Sequence, residues 1–374
     1  MSEYRFWSSR LRTGEILADS LPLRVSSFSR ALGGVGELSA SLDLRATAAR
    51  NTDYMSALEP RRTVLWVSQD GFPVWAGVVW DWPHTSVLDW TLPVRALTLE
   101  SLLDRREVRA DLTFTAADVF DVARGLVAAA TTGAGREVAG LNVDGGLSGV
   151  ARTVTLLGTD AKKVLQALRD VAADGDFEWT LEPGTDGDTA GLYLRLGCPR
   201  LGQPDAGDAG TVLRFPGNVV DYSWPRTGSA GVNSLAVTAT SPAADGTQVT
   251  WRSTAVDSED VGYGYPVVEE TVQYSGAVVG GQAQVDTYAA SLLAERRLTA
   301  TVPSVKVAGP NAPLLRELVL GSYVWLLASS PLHPADPTTG APGLQRPVRV
   351  VGWTATPPAD GQEESVELVL GEAE

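Results

Sequence analysis

The sequence has one cysteine, two histidines and three lysines in 374 residues. A lone Cys198 excludes an internal disulfide, and its apolar strand-like surroundings mark it as a buried, inert thiol. With histidine only at His84 and His333 there is no HExxH, no His/Cys cluster and no CxxC, so a zinc or iron site has no ligand set. There is no GxxxxGK[ST] loop and no GxSxG elbow. Gly33-Gly34-Val35-Gly36 lacks the third spaced glycine and the βαβ context of a dinucleotide site. No cofactor is expected. No apolar run approaches the ~18–20 residues of a membrane helix. The N-terminal MSEYRFWSSR lacks a basic region followed by an apolar one, so neither membrane insertion nor a secretion signal is expected.

Positive charge is also scarce. Thirty Lys and Arg stand against 45 Asp and Glu, a net charge of −15. That excludes a surface built to wrap nucleic acid, which needs clustered cations to neutralise phosphates. It is compatible with DNA passing without sticking, because an acidic wall repels phosphate over roughly 8–10 Å at physiological salt. The acidic residues form no recognisable catalytic pattern. Asp186-Gly187-Asp188 begins like a calcium loop, but Ala190 and Gly197 stand where that loop needs an oxygen ligand and a glutamate. Asp174-Gly175-Asp176 reads as a helix stop and turn. A solvated or lumen-facing acidic surface is favoured, and no enzymatic activity is expected.

What the chain does have is β pattern. The stretch RRTVLWVSQDGFPVWAGVVWDW, residues 61–82, reads as two strands around the hairpin turn Asp70-Gly71. Val74, Ala76, Val78, Trp80 and Trp82 share one face of the second strand; Trp75, Gly77, Val79 and Asp81 share the other. Both faces are mostly apolar, whereas a half-solvated strand alternates apolar with polar. Both faces are therefore covered, the second by another layer of the chain or by another subunit. In the latter case Trp75, Val79 and Trp66 are the candidate interface residues.

Residues 1–105 read as all-β, with Leu38, Ala40, Leu42 and Leu44 on one buried face, a short helix within 45–60, and a strand over 87–99. Residues 106–210 form an inserted α+β unit. It has helices at 116–130, with Thr115 as N-cap, and at 161–173, capped by Thr159 or Asp160. Strands follow at 177–182 and 191–197. Residues 211–374 return to β, with a helix over 283–298 whose inner face is Val285, Ala289, Leu292 and Leu293, and a Pro/Gly-rich surface loop over 330–345. The two β parts are alike in make-up, which suggests a duplicated barrel around an insertion. The eleven tryptophans lie mostly in apolar strands, favouring core or subunit interface over a sugar platform.

The order of features from YRFWSSRLRTGEILADSLPL through GELSASLDL, ALEPRRTVLWVSQDGFPVWAGVVW and RREVRADLTFTAADVFDVARGLV to LLAERR and LVLGSYVWLL resembles the minor tail proteins of siphoviruses infecting actinobacteria, the baseplate hub or tail-tip family. The resemblance implies two tube-type β-barrel domains, 1–105 and 211–374, with smaller inserted domains. It implies a homotrimeric ring at the virion tail tip. That ring would abut the distal tail protein and other tail-tip or receptor-binding proteins, and enclose the channel for the tape-measure protein and for DNA, without sequence-specific binding. Two alternatives remain open: the distal tail protein itself, a hexameric ring, or a carbohydrate-binding or cell-wall-cleaving β protein.

Overall fold

A computed structural model describes residues 2–45, 53–83, 90–143, 145–187, 189–202, 211–225, 231–242, 247–274, 276, 278, 280–296, 303–309, 312–359 and 363–372. The class is mainly β with α+β insertions, as expected. The first part contributes β1 (Tyr4–Arg10), β2 (Ile16–Ala18), β3 (Leu23–Ala31), β4 (Glu37–Asp43), β5 (Thr63–Gln69), β6 (Phe72–Asp81) and β7 (Thr91–Thr98), followed by α1 (Glu100–Asp104). Asp70 and Gly71 both adopt positive φ, 50° and 85°, the two-residue turn whose twist matches a hairpin. Gly77 is needed inside β6, because a Cβ there would sit 2.4 Å from the Trp75 ring and 2.5 Å from the Leu97 carbonyl oxygen.

The first insertion holds β8 (Leu112–Asp118), α2 (Val119–Thr131), β9 (Leu141–Val143), β10 (Ala151–Leu156), α3 (Val164–Gly175), β11 (Glu178–Asp186) and β12 (Thr189–Gly197). The third part supplies β13 (Val212–Phe215) and β14 (Val219–Ser223). A second inserted unit follows, made of β15 (Ser234–Pro242), β16 (Gln248–Val256), α4 (Ser258–Tyr263), β17 (Glu269–Tyr274) and α5 (Gln282–Arg296). The chain closes with β18 (Ser304–Ala308), β19 (Tyr323–Ala328), β20 (Leu344–Thr356) and β21 (Ser365–Glu372).

The flanking β parts are one continuous sheet of thirteen strands rather than two separate barrels. Within it the same arc occurs twice. The first runs β1-β5-β6-β7-β4-β3 and the second β13-β19-β20-β21-β18-β14. Taken in chain order, the six strands of each arc occupy the same places. Both arcs carry a bulge between their third and fourth strands, at Val79/Asp81 and Val350/Gly352. Both carry another between their last two strands, at Val25/Ser27 and Val219/Asp221. One pairing differs: β1 is antiparallel to β5, while β13 is parallel to β19. Aligned on the first bulge, Trp82 takes the place of Trp353 and Trp66 that of Trp325.

The arcs join where β3 pairs with the far end of β20, Phe28 opposite Ala355 and Ala31 opposite Gly352. That pairing uses the outer edge of β3, so the first arc does not close onto β1 there, and neither arc is a closed barrel among the described residues. One core fills both arcs, with Phe28 fully buried at the junction. Its ring meets Tyr4, Trp75 and Trp353 edge-on at 6.1, 6.5 and 5.6 Å.

Several local expectations change. The segment before α2 is strand β8, paired with β10, because residues 112–114 alternate and Phe114 lies over the face of α2 at Gly125. The α2 cap is therefore Asp118 and not Thr115; its carboxylate accepts from the Phe120 amide and from Ser148 and Gly149. Helix α3 starts at Val164 without a side-chain cap, because Thr159 and Asp160 sit in a 3-10 turn closed by Ala161 at φ 47°. Asp176 ends α3 in the left-handed region, as the Asp-Gly-Asp run suggested. The expected inner face of the later helix is buried, though the helix spans Gln282–Arg296; residues 297 and 298 lie outside the described chain. In the 45–60 window the described part is a 3-10 turn, Ser56–Leu58. Of the expected strand at 87–99, residues 91–98 form β7, and 84–89, with His84, lie outside the described residues.

Truncating the ring that touches both arcs tests this junction. Phe28→Ala is expected to destabilise the sheet by about 3–5 kcal/mol, read from the urea midpoint of the tryptophan-fluorescence transition. A shift no larger than that of a surface substitution would contradict the shared core.

Candidate functional site

The hairpin β5–β6 is covered on both faces by the chain itself. Trp75 and Val79 face the core shared by the arcs, and Trp66, Ala76, Val78 and Trp80 face the core of the first inserted unit. The structure thus places the three candidate interface residues inside one chain: Trp75 and Val79 are 0% exposed and Trp66 is 4% exposed. The second layer is the inserted unit, which supplies α2 and α3 against that face. Of the eleven tryptophans, 66, 75, 80, 179 and 353 are buried; Trp90 alone is largely exposed, with the Arg45 guanidinium over its ring.

A buried polar clasp fastens the inserted unit to the sheet, and sequence patterning did not single it out. Arg30 of β3 and Arg349 of β20 project from neighbouring strands toward β11. Arg349 makes a two-pronged pair with Glu178 at 2.9 and 2.5 Å, donates to the Gly321 and Leu201 carbonyls, and lies over the Tyr323 ring. Arg30 donates to the Leu181 carbonyl and the Thr180 hydroxyl, with Glu182 at 3.9 Å. Glu100, buried on α1, accepts from the Leu181 amide. Burial drives the Glu100 carboxyl up from its usual range and the Arg30 guanidinium down, each partly offset by the other's charge. The available signal was an arginine inside an otherwise apolar strand, as in PVRVVGW around Arg349.

Beside the clasp lies a cleft of about 910 Å³ where the sheet and both inserted units meet. Arg349 and Tyr323 line it from the sheet, Arg169 and Glu178 from the first unit, and Tyr288 and Ser291 from α5. Asp176, one of the acidic residues weighed for chemistry, faces it and pairs with Arg200 at 3.2 Å. Asp186 lies at the β11–β12 turn, and Asp188 is outside the described residues. Cys198 is half-buried; burial raises its thiol pKa, with Asp176 and Asp118 adding to the rise. No group of His, Cys, Asp and Glu side chains is placed to hold a metal among the described residues. No described helix is long and apolar enough to cross a membrane.

Two strand ends remain open. On the β5 side of β6 the ladder stops at Val78; beyond it the Arg61 amide donates to the Val79 carbonyl and the Trp82 indole N–H to the Leu58 carbonyl, and Asp81 and Trp82 border an open depression of about 550 Å³ with Pro60, Trp80, Pro83 and Arg95. At the other end of the sheet β14 pairs only with β18, and its outer edge carries no ladder among the described residues.

No family model matches the chain, and no curated protein matches it by sequence. Its fold is similar to that of a tail protein from Neisseria meningitidis, with a TM-score of 0.63 at 15% identity over 98% of this chain and 97% of that one. It is also similar to a 43 kDa prophage tail protein from Shewanella oneidensis, with 0.60 at 12% identity over 99% of each. A prophage tail protein from Listeria monocytogenes gives 0.54 at 12% over 98% and 94%.

Two outcomes test the clasp. Glu178→Ala leaves the buried Arg349 without its carboxylate and is expected to cost about 3–5 kcal/mol, while Glu178→Met with Arg349→Met recovers most of it; equal losses in urea unfolding would contradict the pairing. For Glu100 the folded pKa is raised, so the unfolded chain releases this proton first. Its contribution is fully present below about pH 4.3 and is lost as pH rises toward the folded pKa. Glu100→Gln is expected to remove that loss, seen as a flatter stability–pH profile above pH 4.3.

At these identities the likeness is one of fold: the chain has the fold of solved tail proteins, two of them from prophages.

Proposed function

We propose that the chain is a structural protein of a phage tail: the baseplate hub, three copies of which form a ring at the tail tip. The observation that carries this reading is the repeated arc. One chain holds two similar units side by side, joined through β3 and β20. A head-to-tail contact of that kind, repeated between copies, generates a ring. Three chains then present six arcs, which suits a six-fold neighbour such as the distal tail protein. The net charge of −15 suits a channel through which the tape-measure protein and DNA leave without binding. Other tail-tip or receptor-binding proteins would attach around it.

The role in this reading is architectural: in the cleft Asp176 is engaged with Arg200, Glu178 with Arg349 and Asp170 with Lys162. The assignment to siphoviruses of actinobacteria rests on the sequence resemblance alone. The distal tail protein is the second reading. Two arcs per chain favour the hub over it, because six copies would present twelve arcs. A carbohydrate-binding or cell-wall-cleaving protein is favoured less, because most tryptophans are wholly or half buried.

The deciding measurement is mass by light scattering on a sizing column, with the particles imaged. The expected result is three times the 39.5 kDa chain and rings with a central hole. Six-fold rings would replace the hub by the distal tail protein. A monomer that is also absent from virions would overturn the tail reading.

A further inference from the structure

The arcs are equivalent, yet only one of their two possible junctions is made within the chain. Inside the chain, Ala31 and Arg30 at the end of β3 lie opposite Gly352 and Trp353 of β20. The bulges fix the counterpart residues. In the second arc, β14 bulges between Val219 and Asp221 as β3 does between Val25 and Ser27, so Trp224 and Pro225 stand where Arg30 and Ala31 stand. In the first arc, β6 bulges between Val79 and Asp81 as β20 does between Val350 and Gly352, so Asp81 and Trp82 stand where Gly352 and Trp353 stand. Both stretches are at strand ends without a ladder on that side among the described residues. The depression borders Trp82, whose counterpart in the second arc, Trp353, lies opposite Arg30 of β3; within the chain the Trp82 indole N–H donates to the Leu58 carbonyl.

We infer that these two ends meet between copies: Trp224-Pro225 of one chain seats in the depression at Asp81-Trp82 of the next, repeating between chains the junction that β3 and β20 make within one. The inference rests on the ring reading and adds to it the contacting residues and the direction of the contact. The occupant is a second copy of this chain, because the slot and the strand that fits it belong to two halves of one repeat. Pro83 and Pro225 have no N–H, so the ladder is short and the two half-buried tryptophans carry the contact. The contact is heterologous: position 82 meets 224 and never another 82.

The test uses the full chain with Cys198→Ser. Trp82→Cys and Trp224→Cys are introduced together and singly, and oxidised at the highest soluble concentration while mass is read by light scattering. Residues opposite each other in a ladder have Cα atoms about 4.5–5.5 Å apart, within reach of a disulfide. The exposed pair Asp81→Cys and Pro225→Cys gives the same readout without removing a tryptophan. The expected result is covalently closed trimers from either double variant and no linked species from any single one. Trimers by scattering without linkage in either double variant would overturn this seam and leave the ring standing. Linked ladders longer than three would uphold the seam and overturn the three-copy ring. Monomers without linkage would overturn the seam, and the ring would then be decided by the presence of the chain in virions.

Discussion

The architecture depends on one short pairing, four residues of β3 against four of β20. On either side lies an arc that is antiparallel throughout except where β13 runs parallel to β19. This pairing makes them one object, because β20 is long enough at thirteen residues to pair with β19 first and β3 afterwards along one edge. Its register is fixed by side chains. Phe28 and Trp353 both point into the common core, and a one-residue slip of β3 would turn one of them out. A second tie across the arcs supports the same register. The Tyr4 hydroxyl donates to Glu364 at 2.6 Å, and the Gln69 side chain donates to Glu364 and accepts from the Leu315 amide. Desolvation and the Glu364 carboxylate raise the Tyr4 pKa, keeping that donor in its protonated form.

The inserted units use this platform differently. The first covers the outside of β5 and β6, which removes the hairpin's second apolar face from water and explains the hydrophobic run on both sides of β6. Its orientation comes from the polar clasp. Burying Arg30, Arg349, Glu100 and Glu178 together costs desolvation that pairing about offsets, so the net stability from these charges is small. What they contribute is direction, since a two-pronged Arg349–Glu178 pair is satisfied in one geometry and an apolar patch in several. The second unit grows from the place that in the first arc is the short turn at residues 32–36. Its own small core, around Leu235, Val285 and Ala289, is separate from the other two.

Which parts were legible in the sequence follows from the range of each interaction. Leu38, Ala40 and Leu42, the Asp70-Gly71 turn and the inner face of the later helix are settled by neighbours a few residues away, and they were readable. The caps were misplaced because Asp118 competes with Thr115 and is chosen by the β8–β10 pairing, a contact more than thirty residues distant. The repeat left few identities, among them Trp66 with Trp325, Trp82 with Trp353 and Val79 with Val350, so the sequence suggested a duplication only through similar make-up, and the pairing and bulges supplied its alignment. Strands β15 to β17 have the same local pattern as those of the main sheet, so nothing short-range marks them as a separate unit. That strand β6 is covered on both faces was readable from its apolar run, while the identity of the cover was a long-range fact.

The closed and open ends of the arcs also differ in a way that edge physics explains. Where the junction is made within the chain, the paired residues include Ser29 and Thr354, each of which has a backbone N–H. At the open ends the corresponding positions are Ser223 and Pro83, with Pro225 and Asp81 beside them. An unpaired strand end invites promiscuous pairing, and proline and charge are the usual devices that blunt it. A fully donor-competent edge would pair with any strand, including the wrong copy or the wrong register. An edge reduced to few donors and flanked by Trp82 and Trp224 gains little from backbone pairing alone. It gains more when a tryptophan also finds a depression to fill. In the proposed seam the residues that blunt these two open strand ends would also restrict the contact between copies to one geometry.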